Sequence, residues 1–288
     1  MQPPGSGPAD WQQDQHRDWR GGGSYDARHG RRATRRRGRG RVAAIAAIAI
    51  GLAAVALSVT EVKGALAPRK FTQAQAQQIV AWEVAARWRE LPAGVIFPAT
   101  TTYQAPAVLQ DGGPLTLTTR RLAIAHQATC ERAADPAAAA VLGRYGCQAL
   151  LRASYADGTA SYLVTVGVAA FASAAQASAA QSALSDPGFT NAGKQGALAP
   201  GVRAAAFPGT AAVGFTDARR QLAGSINDGP YVLLYTIGYA DNRPKLPVDV
   251  DNYTYAEMTS MGKGLAKAIG GKLTTRPPTP HCPGAPGC

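Results

Sequence analysis

The sequence predicts an α+β protein: antiparallel sheet or sheets with helices on one face, built around a tandem strand-hairpin-strand-helix repeat and preceded by one transmembrane helix. Three observations lead there. Residues Val42 to Thr60 form a 19-residue stretch without a charge, closed by Arg41 and Glu61. Two β-prone segments, Leu151 to Ala169 and Leu222 to Ala240, match at a constant offset of 71 residues. A helical pattern follows each segment, at 174–184 and about 255–269.

The apolar stretch comes first because it sets the location of everything else. At about 1.5 Å per residue, a helix of that length spans roughly 28 Å, close to the hydrocarbon thickness of a bilayer. The 41 residues before it hold ten arginines and four aspartates, half of the chain's net charge of +12. Arg31, Arg32, Arg35, Arg36, Arg37, Arg39 and Arg41 crowd its N-terminal flank, whereas only Lys63, Arg69 and Lys70 follow soon after it. Positive charge stays on the cytoplasmic side of a spanning helix. The expected topology is therefore single-pass, with the N-terminus cytoplasmic and the C-terminal domain outside. Ala65-Leu66-Ala67 fits a small-x-small cleavage site, so release of the outer domain after Ala67 stays open as the alternative.

Residues 1–41 are rich in Gly, Pro, Gln and Arg and lack apolar periodicity, which predicts a disordered basic tail. Its partner is the bilayer surface, and the topological role of the arginines argues against nucleic acid. Within the spanning stretch, Ala43, Ala47 and Gly51 repeat at four-residue spacing, a small-residue face that would suit a homodimer. The outer domain is expected over 61–272, with related units at about 148–185 and 219–270, and a Pro-rich tail over 273–288.

All four cysteines, Cys130, Cys147, Cys282 and Cys288, fall on the expected outer side. An oxidising exterior favours disulfides, and Cys130 with Cys147 and Cys282 with Cys288 is the most local of the three pairings. Zinc is disfavoured because no cysteine pair has C-x2-C spacing.

Along the outer domain, Thr72 and Gln75 form a capping-box pattern ahead of a helix over about 73–90, which Leu91-Pro92 ends. Trp82 and Trp88 on that helix read as packing residues. Strands are expected at 95–103 and 115–128, and a brief helix after Asp135-Pro136. In the repeat, eight of 19 aligned positions are identical, including Asp157/Asp228 and Gly158/Gly229, the residues expected to turn each hairpin. Thr254 and Glu257 form a second capping box, with Gly270-Gly271 as the expected stop of the last helix. Residues 186–210 and 241–252 read as loops.

The search for chemistry returns little. No nucleophile elbow, H-E-x-x-H, P-loop or strand-linked G-x-G-x-x-G occurs. Gly262-Lys263-Gly264 lies within a helical pattern. His126 stands in a β-prone run, and Asp249-Val250-Asp251-Asn252 reads as a helix start rather than a calcium loop. Glu83, Glu90 and Glu131 have no spacing that marks a carboxylate pair. No cofactor and no metal site is expected.

Leu91-Pro92-Ala93-Gly94-Val95-Ile96-Phe97-Pro98, Tyr145-Gly146-Cys147 and the following Asp157-Gly158 hairpin, with the basic tail and single anchor, resemble uncharacterised actinobacterial single-pass membrane proteins that carry a cysteine-bearing extracytoplasmic domain. That resemblance covers the architecture of the whole chain and implies an envelope location, not a reaction. The expected function is a non-enzymatic binding, sensing or scaffold role, with an envelope protein or a wall component as partner. The alternative is an anchored hydrolase of wall polymers.

Overall fold

The structure is a computed structural model that describes residues 71–107, 113–186, 198–247 and 251–275, all within one compact unit, Lys70–Cys288. The expected anchor, the arginine cluster, Cys282 and Cys288 lie outside these residues. Among the described residues no helix is long and apolar enough to cross a membrane.

The chain runs α1 (Gln73–Glu90), α2 (Ala93–Ile96), β1 (Thr100–Gln104), β2 (Thr116–Ile124), α3 (Cys130–Ala133), α4 (Pro136–Arg144), β3 (Ala149–Asp157), β4 (Tyr162–Ala170), α5 (Ala174–Leu184), β5 (Leu222–Asp228), β6 (Tyr231–Tyr239) and α6 (Asn252–Thr274). Six strands make one antiparallel sheet in the order β1-β2-β3-β4-β6-β5. Helix α1 starts as expected: Thr72 Oγ1 accepts from Gln75 N at 3.2 Å, and Gln75 Oε1 accepts from Thr72 N at 3.0 Å.

The bounds of β1, β2 and α6 differ from expectation, β2 ending at Ile124, four residues short of its expected end. Residues 93–96 form a single helical turn between Pro92 and Pro98, and the strand begins only at Thr100. A proline cannot donate to a ladder, so pairing waits until Pro98 is passed. Helix α6 starts earlier and ends later than predicted, with Asp251 as its cap: the Asp251 carboxylate accepts from Thr254 N at 2.9 Å. It also runs straight through Gly270-Gly271. Continuing it buries Leu273, which outweighs a glycine cost of about 1 kcal/mol per residue. A side chain at position 270 would strike Asp228.

The two faces of the central strands are both buried, so helices cover both and not one. Leu151, Ala153 and Tyr155 with Val164, Val166, Val168, Leu233, Tyr235 and Ile237 face α6, α1 and α2. Leu150, Ala169, Val232 and Leu234 face α3, α4 and α5. Strands β3 and β4 are accordingly near-continuous apolar runs without alternation. A strap, residues 198–221, crosses the second face beside these helices, burying Val202, Ala212 and Phe215. It is tied to the start of α4 by a paired contact: Arg220 Nη1 and Nη2 each donate to Asp135 at 2.9 Å, while Asp135 Oδ2 also accepts from Gly201 N at 2.8 Å.

The sequence match at offset 71 acquires a geometric meaning in β4 and β6, which lie side by side. Thr165 pairs with Thr236, its own repeat partner; Leu163 pairs with Gly238 and Gly167 with Leu234. This is a local two-fold about the Thr165–Thr236 pair, placing a leucine opposite a glycine on either side. The outer strands do not follow it. Ser154 pairs with Thr165, but Ser225 pairs with Leu234, two residues out of step. The reason is loop length: four residues, Gly158 to Ser161, close the first hairpin, and two, Gly229 and Pro230, close the second. Nor do the helices follow, since α5 and α6 pack on opposite faces.

The turn residues are likewise unequal. Gly229 takes φ +54° ahead of Pro230, the pattern of a tight two-residue hairpin with glycine first. Gly158 does not have positive φ; Ala160 does, at 56°. Asp157 organises that wider turn by accepting from Thr159 N at 2.9 Å and Tyr162 N at 2.6 Å.

Candidate functional site

An apolar groove of about 630 Å³ opens where α1 crosses one end of the sheet. Val80, Ala81, Trp82 and Val84 of α1 form one wall. The turn Gly229-Pro230, the β4–α5 connection Ala172 to Ala174, and Thr274 at the end of α6 form the rest. Its described lining carries no charged side chain; Gln78, Trp82, Ser173 and Thr274 supply the side-chain polar groups. Such a volume with few polar groups is the usual shape of a small-molecule or peptide site.

The walls are held by partly buried hydrogen bonds. Tyr231 Oη donates to the Val84 carbonyl at 2.5 Å, which pins α1 to β6. Arg87 Nη1 donates to the Leu273 carbonyl at 3.2 Å, which pins α1 to α6. Burial pushes the Tyr231 phenol well above its ordinary range, so it stays a donor at any physiological pH. Ser173 caps α5 by accepting from Gln176 N at 3.3 Å. Half-buried Trp82 is thus part of a groove wall and not of the core; Trp88 is buried as expected.

A second cleft, about 610 Å³, lies over the disulfide and is lined by Cys130, Cys147, Glu131 and Arg203 among others. Cys130 and Cys147 are bonded, with S–S 1.98 Å, and staple α3 to the end of α4. A third, about 470 Å³, is lined by Trp88, Arg89, Leu91, Phe97 and Ile124. The described linings of the three hold one carboxylate, Glu131.

The other sequence candidates are scattered. His126 is exposed just beyond β2, Glu83 and Glu90 ride on α1, and Asp249 lies outside the described residues. Gly262 and Gly264 are inside α6, where they make room for the rings of Tyr235 and Tyr103. Among the described residues no group of three His, Cys, Asp or Glu could hold a metal. The groove itself escaped sequence reasoning. Its residues come from four separate parts of the chain, and the one local signal was a tryptophan, Trp82, off the main apolar stripe of its helix.

Comparison of the chain with protein-family models, with curated proteins and with solved structures finds no match.

Proposed function

We propose that this chain is a single-pass, membrane-anchored component of the cell envelope whose outer α+β domain binds an apolar, uncharged partner segment. The observation that carries the reading is the groove beneath α1: large enough for a peptide, free of charge on its described lining, and fixed by partly buried hydrogen bonds. The Cys130–Cys147 disulfide supports an oxidising side of the membrane, and Val42 to Thr60 with its arginine flank supports the tether.

Two experiments test the two halves of this reading. A membrane-impermeant thiol reagent applied to intact cells should label the protein only after reduction, at full mass and in the membrane fraction. Labelling that requires opened cells and no reductant would overturn the topology. A photo-crosslinker at Ala81 should join the protein to a discrete envelope partner, with the adduct lost on Trp82→Ala and not formed from exposed Val213. Equal adducts from both positions would overturn binding in the groove.

A further inference from the structure

Thr274 is both a wall of the groove and the last residue of α6. The chain leaves the helix there, with Thr275 at φ −51° and ψ 118°. The next thirteen residues of the sequence, 276–288, are Arg-Pro-Pro-Thr-Pro-His-Cys-Pro-Gly-Ala-Pro-Gly-Cys. Prolines at 277, 278 and 280 lack amide donors and restrict the residues before them to extended backbone. A proline-rich stretch able to take up polyproline II suits an aromatic-lined apolar groove, because little entropy is lost on docking. Here the groove offers the Trp82 indole, Pro230, Val80 and Val84 at the point where the segment starts. At about 3.1 Å per residue, five residues reach roughly 15 Å.

From this continuity we propose that the chain's own Arg276–Pro280 segment docks along Trp82 and occupies the groove, so that an outside partner must displace it. The inference rests on the groove being the binding site, and it adds the regulation of that site. A short tether gives an effective concentration on the order of 1 mM. A groove that stands open about a tenth of the time then requires an intrinsic dissociation constant tenfold below that, about 0.1 mM.

The test uses the full chain carrying Cys282→Ser and Cys288→Ser, with Ala81→Cys as a reporter thiol beside Trp82. Maleimide labelling of this reporter should be about tenfold slower in the full chain than in the chain stopped after Thr275, which keeps all of α6. Pro277→Gly with Pro278→Gly and Pro280→Gly, at unchanged length, should label like the shortened chain. A free peptide of residues 276–288 with the same serine changes should restore protection to the shortened chain. Equally fast labelling of full and shortened chains would overturn tail docking and leave the groove open to outside partners. Equally slow labelling would overturn both readings, since something else would cover the groove. A shortened chain that becomes protected only as its concentration rises would show a second copy as the occupant, and would also overturn the proposal.

Discussion

Ala160 holds a backbone angle, φ 56°, at which an L side chain costs roughly 1 kcal/mol and glycine costs little. Ala160→Gly should therefore raise the stability of the first hairpin by up to about 1 kcal/mol, read as a shift in denaturant midpoint. Gly238→Ala should do the opposite. A methyl there meets Phe215 at 2.7 Å and the Arg219 carbonyl closer still, so the strap must lift, at a cost of about 2 kcal/mol. The buried tyrosines carry a pH dependence. Desolvation raises Tyr103, Tyr155, Tyr162 and Tyr231 well above their ordinary value of 10.0, and raises Tyr235 to about 12. Below pH 10 these phenols are neutral in both states and stability is unaffected. Above it the unfolded chain loses protons that the folded chain retains, so stability falls as pH rises toward the folded values. Ultraviolet titration should show these tyrosines ionising together with unfolding; their independent ionisation near pH 10 in the folded protein would contradict the burial.

At the scale of elements, the disulfide closes a separation of 17 residues and joins α3 to the end of α4, two short helices that also pack in the core of the second face. Reduction should lower stability by about 3 kcal/mol in the chain-entropy account, seen as a lower melting temperature with reductant. Helix α6 poses a different case, since Gly262 and Gly264 lower its helix propensity but admit Tyr235 and Tyr103 at close range. Gly262→Ala should destabilise despite the better propensity, and Tyr235→Leu should relieve part of the loss in the double variant. If Gly262→Ala stabilises the protein, the packing account of that glycine fails. The start of α1 was legible to the residue, because Thr72 and Gln75 act on backbone groups within three positions; the span of α5 was legible from its pattern, and its Ser173 cap emerged only in the structure. The end of α6 was not legible. What carries it past two glycines is burial against strands far away in sequence.

For the whole molecule, the Asp135–Arg220 pair joins segments 85 residues apart and keeps the strap on the second face. Asp135→Ala leaves a mostly buried guanidinium with only the more exposed Asp217 carboxylate, 3.4 Å from its Nε, and should cost about 2 kcal/mol in denaturant unfolding. A loss near zero would mean that apolar packing of Val202 and Phe215 alone holds the strap. Placing α5 and α6 on opposite faces completes a two-sided core, which the matching sequence of the two units does not foretell. By itself the sequence determined the local features: the starts of α1 and α5, most of the strand segments, the place of each hairpin and a stapled Cys130–Cys147 pair. It also set the charge asymmetry on which the expected topology rests. These follow from side chains acting on nearby backbone, or from composition read against a solvent. Only the tertiary structure decided the single sheet, the two-residue slip of β5, the face each helix covers and the groove under Trp82. Each depends on which distant surfaces exclude water together, and residues of one short window do not encode that.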